Sequence, residues 1–82
     1  MPVIHSSVFL VMKEFPEHKR AIQRLAKREE RFLTLCDDYR ICKEALAYWK
    51  SSESDQASLR VCEYQSLLAE LETEILRSLN AY

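Results

Sequence analysis

The sequence contains no glycine at all, and only two prolines. Without glycine the chain lacks the residue that supplies positive φ in primed β-hairpin turns and close backbone approach in phosphate-cradling loops. Long apolar runs are missing too. The longest, Val8-Phe9-Leu10-Val11-Met12, has five residues, whereas a membrane span needs about 20, so no membrane contact is expected. Met1-Pro2-Val3-Ile4-His5 carries no Lys or Arg, so a secretory signal is not expected and a cytoplasmic location is. The three cysteines, Cys36, Cys42 and Cys62, are an odd number without disulfide or zinc spacing. They read as small apolar residues.

What remains is a helix-forming chain. Its 82 residues make one small domain, 48% hydrophobic and 30% charged. Two apolar stripes run at heptad spacing. The first is Leu25, Phe32, Tyr39 and Leu46, with Leu35, Cys42 and Trp49 between; the second is Val61, Tyr64, Leu68, Leu71 and Ile75. Across the polar Ser51-Ser52-Glu53-Ser54-Asp55 they predict an all-α fold: an antiparallel, coiled-coil-like two-helix hairpin over residues 15–82. Counting out from the turn pairs Trp49 with Ala57, Leu46 with Val61 and Cys42 with Tyr64. Tyr39 then meets Leu68, Leu35 meets Leu71, and Phe32 meets Ile75. Ser52 is placed to cap the second helix, with Asp55 three residues on.

The first helix is expected to open at Phe15-Pro16-Glu17, where proline suits the first helical position. Up to Lys50 nothing breaks it, and 35 helical residues would span about 52 Å. The seam is interrupted at Arg28, within the wholly charged Lys27-Arg28-Glu29-Glu30-Arg31. Two readings stand: a loose seam, or a division into helices over 16–28 and 31–50. Propensity favours continuity. The hairpin is thus expected to be firm at its turn and doubtful at its open end. Residues 1–14 show no helical period and read as an N-terminal arm, flexible or docked, with Ser7 a candidate N-cap should the helix extend back.

Phe15-Pro16-Glu17, Ile22, Leu25, Phe32-Leu33-x-Leu35 with Tyr39, and the closing Leu67-Leu68-x-x-Leu71-x-x-x-Ile75-x-x-x-Leu79 resemble the YdcH-like family of small bacterial proteins. The resemblance covers roughly residues 14–80. It implies a short helical hairpin in a bacterial cytoplasm, with a helix break just before Phe32, where this chain has Glu29-Glu30. It implies no biochemical activity.

Charge is unevenly distributed. Residues 13–31 carry a net +3, residues 32–50 none, and residues 51–82 a net −4. An antiparallel return of the acidic half beside the basic half predicts internal neutralisation. Arg20, Arg24, Lys27 and Arg31 recur at helical spacing and form the one candidate phosphate-binding stripe, with a solvated helix face as the plainer explanation. Phe32, Tyr39, Trp49 and Tyr64 lie on the seam and read as core; Tyr48 does not.

No enzyme chemistry is expected. Glu29-Glu30 and Asp37-Asp38 are neighbours that point about 100° apart, and Glu14-x-x-x-His18 is not the Glu-x-x-His of di-iron bundles. His5 has no partner. No cofactor, metal or small-molecule ligand is expected. Apolar residues off the seam — Ile22, Leu33, Ile41, Leu59, Leu67, Leu76 and Leu79 — widen the stripes beyond what one neighbour covers. The predicted function is therefore a protein-interaction or oligomerisation module. Self-association or another protein is the expected partner, with Val8, Phe9, Val11, Met12, Ile22 and Leu33 as candidate interface residues. Nucleic-acid binding along residues 19–31 is the alternative.

Overall fold

The computed structural model describes residues 6–81. The first five residues of the expected arm, His5 among them, lie outside the described residues. The described chain is helical, with no strand among its residues. Its helices are α1 (Ser6–Glu14), α2 (Lys19–Arg28), α3 (Glu30–Lys50) and α4 (Ala57–Asn80), with a 3-10 turn at Pro16–His18 leading into α2. The antiparallel hairpin is present as α3 and α4, which pack along one another. The expectation of two helices needs correction, because α1 and α2 are separate elements folded against that hairpin.

Residues expected as an arm without helical period form α1 from Ser6 onwards. Its short apolar run hides the period, since residues on all sides are hydrophobic. Ser7 does not cap it. The Ser7 hydroxyl donates to Asp37 on α3 and accepts from Arg40 Nε at 2.8 Å. Ser7 is 3% exposed, so those bonds offset the cost of removing its hydroxyl from water. Glu14 pairs with Lys43, a second polar link between α1 and α3. Pro16 then separates α1 from α2 at a first-turn position, as its missing N–H requires.

The continuous helix favoured by propensity is not formed. Glu29 is extended, with φ −131° and ψ 115°, and ends α2 while opening α3. Its N–H bonds the Leu25 carbonyl at 2.9 Å, and its own carbonyl accepts from Phe32 at 3.2 Å. One extended residue lets Ile22 and Leu25 turn back toward Phe32, Cys36, Ile75 and Leu79, with which they form one buried cluster. The charge order suits the break. Lys27 and Arg28 sit at the C-terminus of α2, and Glu30 in the first turn of α3, both favourable with the helix dipoles.

The hairpin turn is longer than expected, and the Ser52 cap is not made. Helix α4 begins at Ala57 with Gln56 at its N-cap and no side-chain cap bond. The Ser52 hydroxyl instead accepts from the Ser54 N–H at 3.1 Å, and the Ser54 hydroxyl from Gln56 N–H at 3.2 Å. These serines brace the loop rather than the helix.

The core lies at the open end of the hairpin. Val11, Ile22, Leu25, Phe32, Cys36, Tyr39, Ile75 and Leu79 form it, with exposures from 0% to 4%. Burying a side chain such as Ile22 contributes about 1.5–3 kcal/mol. Tyr39 joins three elements: its ring lies 6.2 Å from that of Phe15, and its hydroxyl donates to Glu72 Oε2 on α4 at 3.1 Å. Toward the turn, Cys42 Sγ reaches the Tyr64 carbonyl at 3.4 Å, in the expected register. There Trp49, Ala57, Val61 and Tyr64 are only half-buried. The open end, expected to be the doubtful one, is thus the more fully enclosed, because α1 and α2 fold over it; toward the turn the seam still buries Cys42 and Leu46, at 2% and 8% exposure.

Candidate interaction surfaces

Helix α2 turns Ile22 and Leu25 inward and so presents Arg20, Gln23, Arg24 and Lys27 to solvent. These four line a shallow cleft of about 360 Å³. Arg20, Arg24 and Lys27 make no hydrogen bond or ion pair among the described residues. Arg31, expected to continue their stripe, lies beyond the Glu29 break on α3. It borders a different cleft of about 380 Å³, with Leu35, Asp38 and Glu74 also on its wall. The expected four-residue stripe is therefore three residues on α2.

Internal neutralisation of the basic and acidic halves is not realised by these cations. The ion pairs Arg40–Glu44, Lys43–Glu14 and Arg60–Glu63 involve none of them. On α4, Glu63, Glu70 and Glu74 are all exposed. They are 7 and 4 residues apart, which places them within an arc of about 40° on the outer face. The net charge of residues 51–82 concealed this stripe; its spacing was the signal that would have found it.

The candidate apolar interface divides. Val11 and Ile22, expected at an interface with another molecule, are 0% exposed and belong to the chain's own core. Val8 and Met12 pack half-buried against that core. Leu33 is half-buried, and Phe9 is 54% exposed on the outer side of α1. Ile22 and Leu79, off the seam, are core because α2, which carries Ile22, folds against α3 and α4. Ile41 and Tyr48, seven apart on α3, remain exposed, as do Leu59 and Leu67 on α4. Tyr48 packs edge-on against Trp49 at 5.2 Å.

The ionisable groups inside the fold are held neutral. Burial, reinforced by the charge of Asp37, pushes the Cys36 thiol up to about 12. Burial also raises the Cys42 thiol. Burial and then the charge and hydrogen bond of Glu72 raise the Tyr39 phenol. Thiols held protonated in this way are poor nucleophiles. Glu14 bonds Lys43 rather than approaching His18 as a metal pair. Among the described residues no group of three His, Cys, Asp or Glu is placed to hold a metal ion, and no helix is long and apolar enough to cross a membrane. No protein family, curated protein or solved structure matches the chain.

Proposed function

We propose that this chain is a helical interaction or oligomerisation module, in the cytoplasm, with no catalytic chemistry of its own. The YdcH-like resemblance is part of the same proposal. One observation carries it: Ile41, Tyr48, Leu59 and Leu67 stay 42–65% exposed on the hairpin, while the open end is filled by α1 and α2. Covering such side chains contributes up to about 1.5–3 kcal/mol each. Light scattering after size exclusion, over a micromolar concentration series, tests it. The native chain is expected to exceed the monomer mass, and the folded double variant Ile41→Ser with Tyr48→Ser to run closer to it. A native chain that is monomeric throughout removes oligomerisation from the proposal.

A second reading is favoured by the three unpaired cations of α2. A nucleic-acid backbone lying along Arg20, Arg24 and Lys27 would bind without sequence preference and weaken steeply with salt. Titration with generic RNA and DNA at low and moderate salt, repeated with Arg20→Glu and Arg24→Glu, tests this. Absence of salt-sensitive binding removes it.

A further inference from the structure

The fold keeps its charges apart. Arg20, Arg24 and Lys27 stand at i, i+4 and i+7 on α2, exposed and without partners among the described residues. At 1.5 Å per residue they extend over about 10 Å of helix. Glu63, Glu70 and Glu74 stand along about 16 Å of α4. Glu63 bonds Arg60 at 2.8 Å, whereas Glu70 and Glu74 make no ion pair among the described residues. Leu67, 42% exposed, sits between the first two of these acids.

We propose that a second copy of this chain docks the cationic face of its α2 on the acidic face of α4. The inference rests on reading the chain as an interaction module, and names both the partner and the contact. Three observations select a second copy over a polyanion. The chain itself carries a complementary stripe, Glu63, Glu70 and Glu74, bordered by Arg60 and Arg77. Its net charge is −1, so two copies meet without strong overall repulsion, while the net −4 of residues 51–82 repels a phosphate backbone. Leu67 beside the acids offers apolar contact, against the stems of Arg24 and Lys27, that a phosphate backbone leaves unused. Each copy presents both stripes, so the contact is made between unlike surfaces.

Exposed ion pairs are individually weak and screened by salt. Association is therefore expected in light scattering or sedimentation at about 20 mM salt and expected to be lost by about 300 mM. The variant Arg20→Glu/Arg24→Glu and the variant Glu70→Lys/Glu74→Lys are each expected to be monomeric at low salt with unchanged helical circular dichroism. The chain carrying all four changes keeps the native net charge and exchanges the signs of the two faces. It is expected to associate again, within about threefold of the native affinity. A native chain monomeric at low salt overturns the inference, as does a folded four-change chain that fails to associate. Association that survives both single-face variants but is lost with Ile41→Ser/Tyr48→Ser also overturns it, and leaves the broader interaction reading standing. A monomeric chain that binds RNA through Arg20 and Arg24 assigns the α2 face to a polyanion instead.

Discussion

Near one end of the α3–α4 hairpin, Phe32 and Ile75 are 2% and 0% exposed; toward the other, Leu46 is buried at 8%, and Trp49, Val61 and Tyr64 are only half-buried. The two ends share a seam and differ in neighbours. Near Phe32 and Ile75, α1 and α2 lie over the hairpin, and residues beside the seam, Ile22 and Leu79, become core. Nearer the turn, Trp49, Ala57, Val61 and Tyr64 lie outside that core. Two helices bury a strip between them, and a third and fourth are needed to close it. A sequence stripe therefore marks which side of a helix faces inward, while the depth of burial depends on what else arrives.

The largest test of this contrast is truncation of one aromatic near each end, Phe32 on the seam and Tyr48 beside it. Phe32→Ala is expected to cost about 3–5 kcal/mol, close to the whole stability of a domain this small. Tyr48→Ala, at 65% exposure, is expected to change stability by less than about 0.5 kcal/mol. Urea denaturation followed by circular dichroism reads both. Comparable losses would show the turn end to be as well packed as the open end.

Native-state hydrogen exchange probes the same difference without substitution. Amides around Leu46 and Val61 are expected to exchange at least about tenfold faster than those around Phe32 and Ile75, a gap of about 1.4 kcal/mol in opening free energy. Uniform protection along α3 and α4 would make the hairpin a single cooperative unit and remove the distinction between its ends.

The seam itself was legible. Phe32, Tyr39, Cys42 and Ile75 fall at heptad positions, and the Cys42–Tyr64 contact follows from counting outward from the turn. One feature was not, and a second was only half so. Helix α1 was hidden because Val8 to Met12 is apolar on every side, which leaves no period to detect. A division near residues 28–31 stood as one of two readings; propensity, which weighs residues one at a time, favoured continuity, whereas the break is stabilised by Ile22 and Leu25 folding back onto a core that includes Ile75 and Leu79, some fifty residues away. A local signal existed in Lys27-Arg28 followed by Glu30, a helix end and a helix start written in charge. The candidate surfaces were half legible. The cations of α2 were evident from spacing, but which apolar residues stay outside depended on where α1 and α2 settle.

Tyr39 offers a smaller effect, at the point where three elements meet. Tyr39→Phe removes the bond to Glu72 and is expected to cost about 1 kcal/mol. The folded state raises the phenol above its ordinary value of 10.0. The stabilisation tied to the neutral phenol is thus fully present below pH 10 and lost as pH rises through the higher folded value, because the unfolded chain releases its proton first. The native protein should therefore lose stability above about pH 10 more steeply than Tyr39→Phe. Parallel alkaline profiles would mean that Tyr39 titrates as an exposed phenol and that the open end is not closed around it.

The smallest expected effect concerns how α1 is held over the open end. Two kinds of contact do so: the apolar Val11, 0% exposed, and the ion pair between Glu14 and Lys43, whose side chains are 36% and 33% exposed. Partly exposed pairs contribute only about 0.2–1 kcal/mol. Lys43→Ala is therefore expected to lower stability by no more than about 1 kcal/mol, by an amount that shrinks with added salt. Val11→Ala should cost more and be indifferent to salt, because it removes buried methyl groups from a packed site. Double denaturant series at low and high salt separate the two. If Lys43→Ala were the costlier change, α1 would be held chiefly by charge, and the open end would owe its closure to a contact that salt can release.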